Sequence, residues 1–384
     1  MSLNSFLIGI GICHLLMALL VLWNRARTTR IAANQPLPAD PPAVYVLVPA
    51  RNEESNIGTC LTALRAQDYP NLRIRVIDDH SSDRTAAIVQ EHAKDDPRVE
   101  LRSAPDLPKG WLGKPHALWS GSRDLDSEYV LFLDADVRLR PHAVRKATLA
   151  AIQSDAGLVN MVPRMLAESF WERAAQPVIS QILFTFVDPV RVRDSDSDFA
   201  VGYGPFMFFA RTAYEEIGGH AAVASEVVED LRLAQLIKQA RFPLAYVQAT
   251  DAVELRMYDS LRSLIAGWKK NFHIALGGNN WFAPIGALLL LLVYGAPIVS
   301  LLSALTYYFA AGASAASRGL LTVAALTYGA DWLGRIALRA AYGVTLAGSR
   351  ALGGALVAYI LCASSYQAVM GRPVTWRGRS YPAS

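Results

Sequence analysis

Apolar residues are distributed in two ways along this chain. Long uninterrupted apolar stretches lie toward its two ends, and short apolar runs separated by polar clusters fill the middle. Ser5–Trp23 is uncharged and predicts a helix rising about 28 Å, enough to cross a bilayer core. Arg25, Arg27 and Arg30 follow at once, which places that side in the cytoplasm. No positive charge precedes the span, which argues for a retained anchor over a removed signal peptide. Farther on, Phe282–Ala311 and Ala351–Met370 are uncharged, whereas Leu320–Leu346 carries Asp331, Arg335 and Arg339. Three spans starting in the cytoplasm would end outside, yet Arg372, Arg377 and Arg379 predict a cytoplasmic tail. One apolar segment is therefore expected to be re-entrant, interfacial or split into two short spans. The segment with Asp331 is the leading candidate. Its charges either face a partner within the membrane or form a solvated i,i+4 pair at its edge.

In the middle, Val44–Val48 is a continuous β-branched run of the kind that forms a buried parallel strand. Ile57, Leu61 and Leu64 then fall on one helix face. Arg73–Ile77 predicts a second strand, Thr85–Lys94 a helix, Val99–Arg102 a short strand, Pro115–Ser122 a helix, and Tyr129–Leu133 another strand. Such alternation predicts an α/β fold with a mostly parallel sheet. The expected organisation is an N-terminal transmembrane anchor over 1–31, a linker over 32–43 holding Pro36, Pro38, Pro41 and Pro42, and a water-facing α/β domain over 44–258. Residues 259–280 combine Leu261, Leu264, Ile265, Trp268 and Phe272 with Arg262, Lys269 and Lys270. That pattern suits a helix lying in the membrane interface, or one packed on the domain core. A C-terminal transmembrane region over 281–371 and a basic tail over 372–384 complete the chain.

Composition narrows the class. Hydrophobic residues make up 52% of the chain and charged ones 18%, against about 25% charged in ordinary soluble proteins. The mean hydropathy is +0.22. A disordered chain is excluded, and a wholly water-soluble one is disfavoured. The net charge of +4 is mild, and no basic stripe points to nucleic acid as a partner. Cys13, Cys60 and Cys362 have neither disulfide-framework nor zinc spacing.

Candidate chemistry gathers where strands end, the usual ligand position in open α/β sheets. Asp134 and Asp136 follow a buried strand. If the strand geometry continues, alternation puts both side chains on one side, where two hard oxygen ligands suit Mg²⁺ or Mn²⁺. A solvated turn explains the same pair. Asp78, Asp79 and Asp83 sit at another strand end. Helix capping accounts for one of them, and carboxylates also accept from the ring N–H and ribose hydroxyls of uridine. Lys114, near a helix start, is either a surface lysine or a partner for a diphosphate or for the acids. Glu229 and Asp230 open a helix, where acids are ordinary dipole partners. Their other reading is a general base that deprotonates an attacking hydroxyl.

Taken in order, Val48-Pro49-Ala50-Arg51-Asn52-Glu53, the Asp78–Thr85 segment, Leu133-Asp134-Ala135-Asp136 and Glu229-Asp230 resemble the motifs of the inverting family-2 glycosyltransferases of the GT-A fold. The segment Arg211–His220 resembles the stretch those enzymes carry before their acceptor-site acids. The resemblance covers about Val44 to Phe272. More narrowly, Leu107–Lys114, Gly267-Trp268-Lys269-Lys270-Asn271 and Val374–Arg379 resemble a membrane-anchored bacterial subgroup that includes hopanoid-associated and carotenoid (diaponeurosporenoate-type) glycosyltransferases. The resemblance implies that Pro49, Ala50, Arg51, Glu53, Asp78, Asp79, Lys114 and Asp134 hold a nucleotide-diphosphate sugar, with a UDP-sugar expected first. It implies that Asp136, assisted by Asp134, holds Mg²⁺ or Mn²⁺, and that Asp230 is the base, positioned by Glu229. Trp268, Lys269, Lys270 and Asn271 take the place of the Gln-x-x-Arg-Trp found in processive synthases and serve here as candidate acceptor or interface residues. One-sugar transfer to a lipid acceptor (a hopanoid, carotenoid or other lipid) at the cytoplasmic face of the inner membrane is the expected activity. A processive polysaccharide synthase and a non-catalytic scaffold of the same fold are the alternatives.

Overall fold

The computed structural model describes residues 2–275, 280–344, 349–370, 374–376 and 379–381. The chain divides into two compact units: an α/β unit of Arg27–Arg164 and Asp188–Arg256, and a helical unit of Met1–Ala26, Met165–Val187 and Met257–Ser384.

The α/β unit grows from short apolar runs that can be buried on both faces. Helix α1 (Leu3–Arg27) leads into it, and then strand and helix alternate: β1 (Val44–Ala50), α2 (Ile57–Arg65), β2 (Leu72–Asp78), α3 (Thr85–Asp95), β3 (Val99–Ser103), α4 (Gly113–Gly121) and β4 (Tyr129–Leu133). The short β5 (Val137–Leu139), α5 (Ala143–Ser154), β6 (Leu158–Val162) and β7 (Arg164–Met165) follow. After an excursion into the other unit the chain returns as α7 (Pro189–Arg193), β8 (Phe206–Ala210), α8 (Arg211–Glu216), a 3₁₀ turn at Gly219–Val223, α9 (Glu229–Gln239), β9 (Leu244–Gln248) and β10 (Val253–Leu255). The seven-stranded sheet has the order β3-β2-β1-β4-β8-β6-β9. Strand β8 runs antiparallel to both its neighbours, and the other pairings are parallel. Phe206, Phe208 and Phe209 on β8 and Phe132 on β4 are all buried, and each buried phenylalanine contributes about 1.5–3 kcal/mol relative to exposure. The chain leaves β1 toward β2 on one side and meets β4 on the other. This is the topological switch point, and it aims the ends of β1, β2 and β4 at one crevice.

The helical unit contains most of α1 together with α6 (Phe170–Phe186), α10 (Leu261–Ala275), α11 (Phe282–Ala311), α12 (Ala315–Tyr342) and α13 (Arg350–Val369). A terminal hairpin pairs β11 (Val374–Trp376) with β12 (Arg379–Tyr381). By length and composition α1, α11 and α13 are able to cross a membrane. One feature departs from the sequence expectation. Met165–Val187, read there as part of one 44–258 domain, groups with the helices. Helix α6 lies so close to α13 that a Cβ on Gly353 would stand 1.9 Å from the Ala174 carbonyl oxygen. Its amphipathic pattern satisfies either unit equally, so sequence periodicity does not assign it. The charged segment, singled out from the sequence as the apolar stretch that does not simply cross, forms α12, a continuous 28-residue helix that is not among the three candidate spans of the described residues. Helices α11 and α13 pack against each other. Gly354 packs on Tyr294 and Gly286 on Leu361, and Ser365 Oγ donates to the Asn280 carbonyl at 3.0 Å.

Helix α10 supplies apolar residues to this core. Leu264 and Trp268 are buried with Tyr258, Ile179, Tyr294, Val357 and Ile360. The close approach at Gly353 generates a prediction. Gly353→Ala should lower the melting temperature of the detergent-purified chain by several degrees. Gly319→Ala, where nothing lies within 4 Å of the new Cβ, should leave it unchanged or raise stability by about 0.5–1 kcal/mol. Equal melting curves for the two variants would contradict the packing described.

Candidate active site

The end of β1 and the end of β2 are tied into one wall by backbone-to-side-chain bonds. Asp79 N donates to the Ala50 carbonyl at 2.8 Å. Asn52 and His80, one in each loop, both adopt positive φ, at 54° and 57°. Asn52 N donates to Ser81 Oγ at 3.0 Å, and Asn52 Oδ1 accepts from Ser82 N at 2.8 Å. Asp83 accepts from Thr85 N, the first amide of α3, at 2.9 Å and from Glu54 N at 3.1 Å. It is therefore a cross-link between the loops. Pro49 and Ala50 are the last residues of β1. Arg51 reaches Asp79, with Nη1 at 3.2 Å from its carbonyl oxygen and 3.6 Å from Oδ2. Glu53 is buried, with its N–H on Thr85 Oγ1 at 2.8 Å and its Oε2 accepting from Asn56 at 2.9 Å. Asp78 Oδ2 accepts from Ser81 N at 3.3 Å, while its buried Oδ1 has no hydrogen-bond partner among the described residues. A buried carboxylate oxygen of this kind is a ready acceptor for a ligand N–H or O–H.

The Asp134–Asp136 pair corrects the strand argument. Strand β4 stops at Leu133, and Val137 N closes a turn onto the Asp134 carbonyl at 3.2 Å. The period-two rule therefore does not extend to these residues. What unites them is electrostatic proximity. The buried Cys60 thiol on α2 is pushed up to about 12 by burial and then by Asp136, Asp134 and Glu53. All three carboxylates are thus near enough to act on this thiol.

Lys114 is the hub. Held in the first turn of α4, its Nζ lies 2.7 Å from Asp134 Oδ1 and 3.0 Å from Glu229 Oε1. Burial opposes its charge, but Asp134 and Glu229 outweigh it and raise its pKa above the ordinary value. Glu229 and Asp230 form the first turn of α9. Asp230 Oδ2 accepts from Gly204 N and its Oδ1 from Leu231 N, both at 2.8 Å. Burial pushes the Asp230 carboxyl up to about 6. The Glu229 charge adds to this, while Lys114 and the two amides oppose it. Below lies His220, buried and driven down to about 3 by desolvation, with Nδ1 2.7 Å from Tyr214 Oη. It is a neutral support for the cluster.

Sequence reasoning missed the loop that seats Asp230. A Cβ on Gly202 would stand 2.2 Å from the Asp230 carbonyl oxygen, and one on Gly204 2.8 Å from Asp230 Oδ2. The fully buried Asn160 on β6 holds this loop, donating to the Val201 carbonyl at 2.5 Å and accepting from Tyr203 N at 3.2 Å. The signal was present as Gly-x-Gly just ahead of an aromatic strand, but nothing local tied it to residue 230. The structure brings together the predicted nucleotide and base residues in the α/β unit. Trp268, Lys269, Lys270 and Asn271 lie in the helical unit, where Trp268 is core and the Lys269 carbonyl accepts from Ser364 Oγ at 2.6 Å.

Among the described residues, no three His, Cys, Asp or Glu side chains converge as a protein-only metal cage. A Mg²⁺ or Mn²⁺ ion bound beside a diphosphate takes one or two carboxylates from the protein, and phosphate oxygens and water give the rest. Asp136 and Asp134 on their shared turn are suitable hard donors.

Comparison with known proteins accords with this architecture. Residues 45–218 match the family described as Glycosyl transferase family 2. It is similar to 4,4'-diaponeurosporenoate glycosyltransferase of Staphylococcus aureus, 26% identical over 69% of this chain and 70% of that one. It is also similar to the protein of the same name in Staphylococcus haemolyticus, 25% identical over 66% of each. Among solved structures, mannosyltransferase PcManGT from Pyrobaculum calidifontis, in complex with GDP-Man and Mn²⁺, aligns with a TM-score of 0.50 at 19% identity. That alignment covers 95% of this chain and 98% of that one. The expected fold class, a GT-A α/β domain with a mostly parallel sheet and apolar helices at both ends, is thereby borne out.

The seat of Asp230 yields a prediction. Asn160→Leu leaves the Val201 carbonyl and Tyr203 amide without their partner. It should destabilise the α/β unit by about 1–3 kcal/mol, read as a lower melting temperature. Gly202→Ala should do the same by forcing the start of α9 outward.

Proposed function

We propose that the chain is a membrane-associated, inverting glycosyltransferase that moves one sugar from a nucleotide-diphosphate sugar to a lipid acceptor. The observation that carries this reading is the Lys114 bridge, which joins a diphosphate-side carboxylate, Asp134, to the acid pair at the start of α9. Nucleotide binding falls to Ala50, Arg51, Glu53, Asp78 and Asp79, whose wall offers buried acceptors to a base and a ribose. The family-2 domain and the carotenoid-glycosyltransferase relatives support sugar transfer to a lipid-like acceptor. The three apolar helices support membrane association, and Arg25, Arg27 and Arg30 favour a cytoplasmic face.

In the reaction, the acceptor hydroxyl oxygen bonds to the anomeric carbon as the bond from that carbon to the diphosphate oxygen breaks. Asp230, ionised, takes the hydroxyl proton; a carboxyl near 6 is a strong enough base to accept it and still ionised at neutral pH. Gly204 N and Leu231 N fix its two oxygens. Glu229 raises its basicity and holds Lys114 in place. Lys114 meets the negative charge that grows on the departing diphosphate. A divalent ion on Asp136 and Asp134 would supply further positive charge there. A single displacement converts an α-linked donor into a β-linked product.

Two measurements test the reading. Because Asp230 acts ionised, the transfer rate should fall as pH drops through about 6. Lys114→Met removes a charge that lowers this pKa, so the acid limb should move to higher pH in addition to the lost rate. Asp230→Asn should reduce turnover by about 10²–10⁴-fold while nucleotide binding persists. An unshifted limb in Lys114→Met, or near-normal turnover in Asp230→Asn, would assign the base elsewhere.

A further inference from the structure

The helical unit holds a second buried polar cluster, far richer in charge than a membrane-type core requires. Asp331 on α12 is almost fully buried. Its Oδ2 accepts from Arg335 Nε at 2.9 Å and Nη2 at 2.5 Å, and its Oδ1 accepts from Arg350 Nη1 at 2.8 Å. His14 Nδ1 lies 3.7 Å from the same Oδ1, while His14 Nε2 donates to the Val293 carbonyl at 2.9 Å. One carboxylate thus faces two guanidinium groups, and both its oxygens are committed. The surplus positive charge rests on Arg350, whose side chain is 1% exposed.

Arg350 uses only part of its donor set. Nη1 goes to Asp331, and the guanidinium face is covered by the Tyr294 ring, 4.8 Å from Cζ. Nε and Nη2, which form the side-on edge that matches a two-oxygen acceptor, have no hydrogen-bond partner among the described residues. Neither the Tyr294 hydroxyl nor the side-chain nitrogen and oxygen of Gln181 has one either. Gln181 is fully buried, and its Nε2 shares the surface of Gly334 with Arg350 Nη1, at 3.4 and 3.8 Å from a Cβ built there. Arg350 is also the first residue of α13, whose Ser349 gives no side-chain cap, so the positive end of that helix adds to the field. Buried donors in apolar surroundings are retained where something accepts from them.

We propose that the Nε–Nη2 edge of Arg350, with Gln181 and the Tyr294 hydroxyl, binds the oxyanion of an amphiphile, a carboxylate or a phosphate, between the helices of this unit. An amphiphile is favoured over a free anion because the helices around the cluster are apolar enough to cross a bilayer. The proposal does not rest on the transferase reading, since its residues lie in the helical unit and its test reads binding.

The full chain, purified in neutral detergent and stripped of lipid, would be melted with oleate, dioleoyl phosphatidic acid, dioleoyl phosphatidylcholine or inorganic phosphate. Oleate or phosphatidic acid should raise the melting temperature by several degrees, and phosphatidylcholine should not. Arg350→Gln should abolish the rise. Gln181→Leu and Tyr294→Phe leave the ion cluster intact, and each should weaken the apparent affinity by about tenfold; they carry the test if Arg350→Gln does not fold. An equal rise with inorganic phosphate would reassign the site to a small free anion and overturn the amphiphile. No rise with any anion, or the same rise in wild type, Gln181→Leu and Tyr294→Phe, would overturn the site itself.

Discussion

One ammonium group between two carboxylates organises the crevice at the ends of the strands. Lys114 stands between Asp134, just past β4, and Glu229, at the start of α9. Without it, acids at the end of the sheet and acids at a helix start would confront each other in a partly buried space, and like charges there favour protonation or separation. With it, one ammonium pairs with both Asp134 and Glu229, and burial displaces the neighbouring Asp230 carboxyl toward neutral pH. On the proposed function, this single pairing separates two chemical tasks: neutralising a leaving diphosphate, and accepting a proton from a nucleophile.

The surrounding fold serves that pairing. Parallel strands buried on both faces end together at the switch point and deliver short acidic turns to one place. Hydrogen bonds between the two loops beyond β1 and β2 tie them into one wall, the proposed nucleotide site. The Gly202–Gly204 loop, anchored from beneath by Asn160, lets backbone amides reach Asp230 at distances no larger residue permits. Such preorganisation lets fixed dipoles, in place of reorienting water, meet the charges of the reaction.

Much of this was legible in the sequence because it is local. Continuous apolar runs located β1, β2 and β4 nearly to the residue, and the acids at their ends located the crevice. What stayed hidden depends on contacts distant in sequence. The turn at Asp134–Asp136 could not be told from an extended continuation, since both leave the acids adjacent. Helix α6 has an amphipathic pattern that fits either unit. Trp268 reads equally as a membrane-interface anchor or as core, and packing with Tyr258 and Ile179 decided it. Gly202 and Gly204 acquire meaning only through residue 230, and Asp331 only through Arg350.

The most direct test of the central claim is nucleoside diphosphate release from UDP- and GDP-sugars by the purified full chain, with Mn²⁺ or Mg²⁺ and a bacterial lipid extract as acceptor. The account predicts turnover of one donor that is lost on chelating the metal and lost in Asp136→Ala. No turnover of any donor, together with no metal-dependent nucleotide binding, would contradict it and leave the domain a scaffold.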